Sequence, residues 1–481
     1  MATVDSIIDR VGLGAMGALR FLRRYCNRRL LSLGLFQAWI FMVFHSSQII
    51  QLHAQTFGIV YSGTLAFSVL TLVVGTLINY HRHSRIYFLV FGALSGSCAT
   101  AAMFFLPIGE SGLLVCSLLL GVGTGMFIPF VGKVYCSTDL DQATQQTFLS
   151  FAFAAALYFA LQVLDATVRA LAISLLPLAL TAVILSLVFV SHQAQRPHHL
   201  PGKRDEVREI VRSRPLVMFF FGVALLGIAF GYSLALCSSL DTPVFNQANS
   251  WAVLSTGILA IVYFIVVRRP GRTYSFQGYF SPVAPIIIIG LLALPFSTSA
   301  AVVLIITGFQ LADMAIWNVF VWIGRHSGLP QRVFCIGKSS MYAGMLIGSL
   351  VQSLIPQGLG PDTLPSLVAS ILAYLLVLAT VFIFSNSRVN LAIRSASHSD
   401  DGRYIMRFIE LRCEDLGNRF GLTTREKQIL GYLAQGRSLP YIEEKLHISH
   451  STANSHRDHI YAKMGIHSRK ELLDPFFGSG E

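Results

Sequence analysis

Residues 421–465 read GLTTREKQILGYLAQGRSLPYIEEKLHISHSTANSHRDHIYAKMG and carry the clearest structural pattern in the chain. Three runs with apolar residues at helical spacing are separated by positions where helices commonly begin or end. Thr423 and Glu426 have the spacing of a capping box, in which a hydroxyl and a carboxylate satisfy free amides at a helix start. Ser438 and Ser449 are placed to begin the second and third helices. The glycine that closes the stretch is placed to end the third helix.

A short turn at His447 and Ile448 separates the second and third helices, and this spacing is typical of a helix-turn-helix. A fourth helix is expected over residues 468–476. We therefore expect residues 420–476 to form a four-helix domain. Residues 385–419, which precede it, are expected to be a polar linker followed by an amphipathic helix.

The rest of the chain has the composition of a membrane protein. Of its 481 residues, 54% are hydrophobic and 12% are charged, which leaves too little polar surface for a large soluble domain. About twelve apolar runs of spanning length follow one another within residues 31–384. They cover residues 31–50, 57–77, 86–106, 111–130, 148–164, 170–190, 216–237, 251–267, 280–296, 300–324, 336–355 and 364–384. The ninth is short and interrupted by Pro282 and Pro285, so eleven spans are the alternative.

The distribution of basic residues orients these spans. With both termini cytosolic and twelve spans, Arg169 alone of the 36 Lys and Arg residues falls outside the cytosolic side. The basic leader at 1–30 and the central loop at 191–214 are then cytosolic. Topology thus explains much of the net charge of +12. We expect a multi-pass protein of the bacterial cytoplasmic membrane, embedded in lipid.

Six spans, a central basic loop and six more spans resemble the layout of the major facilitator superfamily. The resemblance is one of topology and implies a 6+6 helical bundle, not a transport function. The glycine run at Gly121, Gly123 and Gly125 lies inside a predicted span, and close helix packing explains it better than nucleotide binding. The predicted fold class is all-α: a polytopic helical membrane bundle plus a C-terminal helix-turn-helix domain.

The C-terminal motif resembles the LuxR/GerE-type DNA-binding domain over residues 420 to about 474. The matching residues include Gly421-Leu422-Thr423, Arg425-Glu426, Ile429-Leu430, Leu433-Ala434, Gly436-Arg437-Ser438, Ile448-Ser449, Thr452, His456, Ile460-Tyr461, Lys463, Gly465 and His467-Ser468-Arg469. The whole chain also resembles multi-span regulators with a terminal LuxR-type domain from actinobacteria of the Eggerthella group.

The resemblance implies double-stranded DNA as partner, with the third helix in the major groove and a homodimer formed through the last helix. Carried over, the reading face consists of His450, Ser451, Asn454, Ser455, Arg457 and Asp458. Candidate phosphate contacts are Arg425, Lys427, Arg437 and Lys463. Asn454 and Asp458 stand where the family often has Lys or Arg. Asn454 can pair bidentately with adenine, whereas Asp458 near phosphates is repulsive.

Polar residues inside spans are the best indicators of a ligand cavity. Asp313 is the single acidic residue deep in a predicted span, flanked by Gln310 and Trp317. Lys338, at the edge of the next span, is placed to pair with Asp313, and His45 is a weaker candidate. These residues are the proposed contacts for an unknown small-molecule ligand. A structural ion pair without a ligand is the alternative.

The sequence contains no enzyme signature, and we expect no cofactor and no metal. The favoured function is a ligand-responsive, one-component transcription regulator held in the membrane. The alternative is a transporter of the major facilitator type with a regulatory DNA-binding tail. A third hypothesis is a membrane scaffold whose terminal domain binds protein.

Overall fold

The computed structural model describes most of the chain between residues 28 and 466. The described ranges are 28–45, 57–77, 82–138, 140–190, 214–240, 242–267, 280–294, 296–327, 329–354, 416–434 and 438–466, with short pieces at 371–372, 375–376, 378–380, 413–414 and 471. Several predictions therefore lie outside the described residues: the leader up to residue 27, the central loop up to residue 213, most of the twelfth run, the 385–412 segment, Arg437 and nearly all of the fourth helix. The chain divides into two compact units, Met1–Leu391 and Ala392–Glu481.

The first unit consists of helices, and its described residues contain no strand. The helices are α1 (Arg28–Phe44), α2 (Phe57–Leu77), α3 (Arg82–Phe105), α4 (Glu110–Cys136), α5 (Leu140–Gln162), α6 (Ala166–Val190), α7 (Arg214–Leu240), α8 (Thr242–Val267), α9 (Val283–Ala293), α10 (Thr298–Ser327) and α11 (Pro330–Leu354). Each of the first eleven apolar runs overlaps one of these helices. A helix satisfies its own backbone polar groups, as the lipid interior requires.

Eight helices in the described residues are long and apolar enough to cross a membrane. Of the others, α1 has 17 residues and α9 has 11, while α5 is long but carries polar residues. The all-α membrane fold is thus confirmed, and the count of twelve spans remains a prediction.

Glycines allow several of these helices to touch through their backbones. A Cβ on Gly231 in α7 would lie 1.9 Å from the Met345 carbonyl oxygen in α11. A Cβ on Gly344 in α11 would lie 2.1 Å from the Ala224 carbonyl oxygen in α7. The packing interpretation of the glycine run in α4 is confirmed, because a Cβ on Gly121 would lie 2.6 Å from the Phe67 Cβ.

In the second unit, the described residues form α12 (Thr424–Ala434), α13 (Leu439–Leu446) and α14 (His450–Met464). The capping box is confirmed: the Thr423 amide donates to Glu426 Oε2 at 2.7 Å, and the Glu426 amide donates to Thr423 Oγ1 at 3.3 Å. Ser449 caps α14 by accepting from the Thr452 amide. The turn before it is made by His447 in the left-handed region, with φ of 49°. The apolar sides of the three helices meet in one core that contains Leu416, Leu422, Ile429, Leu430, Leu433, Ile442, Ile460 and Met464.

Candidate DNA-binding face and membrane cavity

The helix α14 has one buried and one exposed side. Its buried side carries Ala453, Ile460 and Met464, which anchor it to the core. His450, Ser451, Ser455 and Asp458 are exposed, and Asn454 is half-buried. Residues at positions 450, 451, 454, 455 and 458 share one face at helical spacing. The predicted reading residues therefore lie together, with Arg457 at the edge of this face.

Two pairs of charged or polar side chains modify this face. Arg457 donates from Nε to Asp458 Oδ1 at 2.9 Å, and its Nη2 lies 2.7 Å from the same oxygen. His450 Nδ1 lies 2.6 Å from Glu443 Oε1 of the preceding helix. These pairs are exposed and individually weak, so DNA groups can replace them at small cost. The Asn454 side chain has no hydrogen bond to another described residue, so its amide is available for a base.

The candidate phosphate contacts have partners inside the domain. Arg425 donates from Nη2 to the Leu446 carbonyl at 2.8 Å, which satisfies a free carbonyl at the end of α13. Lys427 donates to Asn418 Oδ1 at 2.6 Å. Lys463 donates to Glu426 Oε2 at 2.7 Å. Arg425 and Lys463 therefore have structural roles that the sequence analysis did not anticipate.

Among the described residues of this unit, Glu426 is the one buried carboxylate, with 4% of its side chain exposed. Burial alone raises the pKa of this carboxyl. The Lys463 ammonium and the amide and hydroxyl of Thr423 outweigh that effect and lower its pKa to about 2. Glu426 is therefore ionised at neutral pH and ties α14 to the start of α12.

In the membrane unit, a cavity of about 90 Å³ lies between helices of the two predicted halves. Its walls come from α1, α2 and α4 on one side and from α7, α10 and α11 on the other. One water molecule needs roughly 10–15 Å³ by this measure, so the space holds several waters or a small organic molecule. Gln310, Asp313, Trp317 and Lys338 all line it. The four ligand candidates predicted from the sequence thus meet at one site.

Asp313 and Lys338 form the ion pair that the sequence suggested, through Oδ1 and Nζ. The Lys338 ammonium also lies over the rings of Trp317 and Tyr342, 5.5 Å and 5.8 Å from their centroids. The sequence analysis counted Lys338 with the cytosolic helix ends, yet it is only 2% exposed. The carboxylate and the two aromatic faces explain how a lysine is accommodated inside the bundle.

Hydrogen bonds connect the two halves near one end of the cavity, here called the His45 end. His45 Nδ1 lies 2.5 Å from Asn249 Oδ1, which is about two turns into α8. The Tyr158 hydroxyl donates to the His45 carbonyl at 2.8 Å and lies 3.0 Å from Ser250 Oγ. Sequence analysis singled out His45 but missed its partners, because polar residues near span ends are too common to be informative.

At the opposite end, here called the Arg325 end, α10 and α11 pack against α4. Arg325 donates from Nη1 to the Thr138 carbonyl, and Cys136 Sγ donates to the Val321 carbonyl at 3.5 Å. A Cβ on Gly132 would lie 2.4 Å from the Phe334 ring, so the helices are in direct contact there. The two halves therefore touch on both sides of the cavity.

Residues 421–475 match the family model for bacterial regulatory proteins of the luxR family. Over 53 residues the chain is 45% identical to the Fimbriae Z protein of Escherichia coli K12, which is 11% of this chain and 25% of that protein. Over 91 residues it is 32% identical to the response regulatory protein YgeK of Escherichia coli K12, which is 18% of this chain and 60% of that protein. The chain thus spans about a quarter of the length of the Fimbriae Z protein.

The helical membrane region is similar to solved membrane-protein structures. A bacterial homologue of the iron transporter ferroportin, in the outward-facing state, aligns with a TM-score of 0.50 and 17% identity over 76% of this chain and 98% of that one. FucP, a major facilitator superfamily transporter in the outward conformation, aligns with a TM-score of 0.47 and 12% identity over 75% of this chain and 99% of that one.

Both comparisons agree with the geometry of the unit that they match. Neither the luxR family nor the transporter-like fold is an enzyme family. Residues 421–475 are a DNA-binding domain of the luxR family of bacterial regulatory proteins, and they follow a helical membrane region.

Proposed function

We propose that the chain is a ligand-responsive, one-component transcription regulator of the bacterial cytoplasmic membrane, with both termini cytosolic and no catalytic role. The observation that carries the proposal is the exposed reading face of α14 in a luxR-family domain, within a chain whose membrane region contains a cavity lined by the Asp313–Lys338 ion pair. A ligand regulates the protein by binding one state of the membrane region better than another. The segment at 385–419 links the two units covalently and passes this bias to the DNA-binding unit.

Double-stranded DNA is bound as a homodimer, since two half-sites on a duplex match a two-fold arrangement of helix-turn-helix units. Asn454, Ser451 and Ser455 contact the bases, and basic residues around α14 contact the phosphates. Because Arg457 and Asp458 neutralise each other, we expect affinity to depend less on salt than in relatives with a basic reading face.

The test is an electrophoretic mobility shift of the full-length protein in lipid nanodiscs with DNA that flanks its own gene. We expect a sequence-dependent complex that weakens as salt increases. A folded protein that binds this DNA no better than a scrambled duplex would contradict the proposal and favour the protein-binding scaffold.

A transporter with a regulatory tail is the second candidate, and the cavity between two halves favours it. The described helices place one carboxylate, Asp313, and one lysine, Lys338, at this cavity. A proton-coupled transporter usually needs more ionisable groups than this pair. Substrate-dependent uptake in proteoliposomes distinguishes the two functions, since a sensor binds its ligand without net flux.

A further inference from the structure

The wall of the cavity is mostly apolar and aromatic. Phe36 and Phe44 come from α1, Phe230 from α7 and Phe309 from α10, so rings face the space from both halves. Phe230 and Phe309 pack at a centroid distance of 4.2 Å. A wall of this kind favours a ligand with a flat apolar ring, because ring-on-ring contact adds to the burial of apolar surface.

The charges in the wall are already matched. Asp313 and Lys338 are paired with each other, and the remaining titratable groups that line the space are His45, Tyr61 and Tyr342. The rings of Trp317 and Tyr342, which would otherwise attract a cation, already face the Lys338 ammonium. The site therefore offers no charge that a ligand ion can neutralise without breaking the existing pair.

Hydrogen-bond donors in the wall are left over. Trp317 is 1% exposed and Thr64 is 3% exposed, and both line the cavity. Neither Trp317 Nε1 nor Thr64 Oγ1 has a hydrogen-bond partner among the described residues. Lys338 has three N–H donors, of which one hydrogen bond to Asp313 is observed. Buried donors are costly unless an acceptor meets them, so these groups point to a ligand with acceptor atoms.

Resting on the proposed function, we propose that this cavity binds an uncharged, ring-bearing small molecule that carries a carbonyl or similar acceptor oxygen. The ring packs against the phenylalanines, and the acceptor oxygen receives the Trp317 N–H and a free N–H of Lys338. Thr64, from the opposite half, meets a second polar atom. Such a ligand satisfies the leftover donors and leaves the Asp313–Lys338 pair intact.

The Asp313–Lys338 pair disfavours charged ligands of the same shape. A carboxylate placed against Lys338 lies beside the Asp313 carboxylate, and an ammonium placed against Asp313 lies beside Lys338. Like charges at such distances repel strongly in a site of low dielectric. Burying a further unpaired charge adds a desolvation cost. We expect discrimination against either ion on the order of tenfold or more.

The experiment measures binding of three matched probes, benzamide, benzoate and benzylammonium, and of their 2-naphthyl counterparts. The full-length protein is held in lipid nanodiscs at pH 7 without DNA, and saturation-transfer NMR is corrected with protein-free nanodiscs. We expect at least one of the two amides, the phenyl or the naphthyl, to bind. That amide should bind at least tenfold more tightly than the carboxylate and the ammonium with the same ring. Equal or tighter binding of an ion, or no binding of either amide, would overturn the proposal.

Two variants test the donors. Trp317→Phe keeps the ring and removes the N–H, and Thr64→Val removes the hydroxyl at nearly constant shape. We expect each to weaken amide binding at least threefold, while Trp322→Phe, which changes a tryptophan outside the cavity on the same helix, leaves it unchanged. Unaltered amide binding in both cavity variants would contradict the assignment. Because DNA is absent, failure here is distinguishable from failure of the regulator function, which the mobility shift reports.

Discussion

At the scale of single residues, Glu426 connects two helices of the C-terminal unit. This buried carboxylate accepts from the Thr423 amide as a helix cap and from the half-exposed Lys463 at the edge of the core. Because Glu426 is ionisable, its contribution to the stability of this unit depends on pH. A Gln at this position keeps the shape of the side chain but removes the charge.

We expect Glu426→Gln to destabilise the 392–481 unit by about 1–3 kcal/mol at pH 7, because a charged hydrogen bond to Lys463 is lost. The folded-state pKa of about 2 lies below the ordinary value of 4.5. The stabilisation by Glu426 is therefore fully present above about pH 4.5 and is lost as the pH falls toward 2. Urea unfolding of this fragment at several pH values measures the effect. Glu444→Gln, at an exposed position of α13, is the control and should change little.

Asn454 carries a second prediction at this scale, which follows from the proposed DNA binding. We expect Asn454→Ala to reduce affinity for the specific DNA site by about 10–100-fold, since a bidentate contact to adenine contributes about 1–3 kcal/mol. Affinity for scrambled DNA should be unchanged, because phosphate contacts are not altered. Fluorescence anisotropy with both duplexes measures the two affinities. An equal loss on both duplexes would show that Asn454 does not read bases.

At the scale of secondary-structure elements, the helices of the membrane unit are positioned by small residues as much as by large ones. Helices α7 and α11 approach so closely that Gly227, Gly231, Gly344 and Gly348 each leave no space for a Cβ. The same helices carry Phe230, Met341 and Met345 to the cavity wall. The glycine contact therefore sets the width of the cavity on this side.

We expect Gly231→Ala to lower the melting temperature of the detergent-solubilised protein by several degrees, since its Cβ would lie 1.9 Å from a backbone oxygen and overpacking of this kind typically costs about 1–3 kcal/mol. Gly58→Ala is the matched control, because nothing lies within 4 Å of a Cβ at that position of α2. Equal melting temperatures for the two variants would rule out a tight α7–α11 contact.

At the scale of the membrane unit, contacts between the halves lie at both the His45 end and the Arg325 end of the cavity. Access of a ligand to the space between them depends on how readily these contacts separate. The His45 end is held by hydrogen bonds from His45 and Tyr158 to α8. Helices α5 and α8 also pack directly, since a Cβ on Gly257 would lie 2.7 Å from the Ala155 Cβ. We expect loss of one of these hydrogen bonds to make the His45 end open more readily.

We expect Asn249→Ala to increase access to the cavity by several-fold, because it removes the hydrogen bond between Asn249 and His45. A cysteine at Ser68, which lines the cavity, reports access through its labelling rate with a water-soluble maleimide. Thr100→Val is the control, since it breaks the hydrogen bond to Trp39 within one half and does not involve the other. Identical labelling rates in the Asn249→Ala and control proteins would argue against a gate at this end.

The helices and their caps could be predicted from the sequence, because both depend on residues close together along the chain. Long apolar runs must form helices in lipid, and the hydroxyl of Thr423 lies three residues from its carboxylate partner, so both features are visible within a short window. The location of Asp313 within an apolar run likewise predicted its place in the cavity. Contacts between distant segments were not predictable in this way. His45 meets a partner 204 residues away. Lys338 was expected to pair with Asp313 at a span edge, but it is buried, because the rings of Trp317 and Tyr342 also face its ammonium. Such contacts depend on how helices pack in three dimensions, and no periodicity along the chain records that packing.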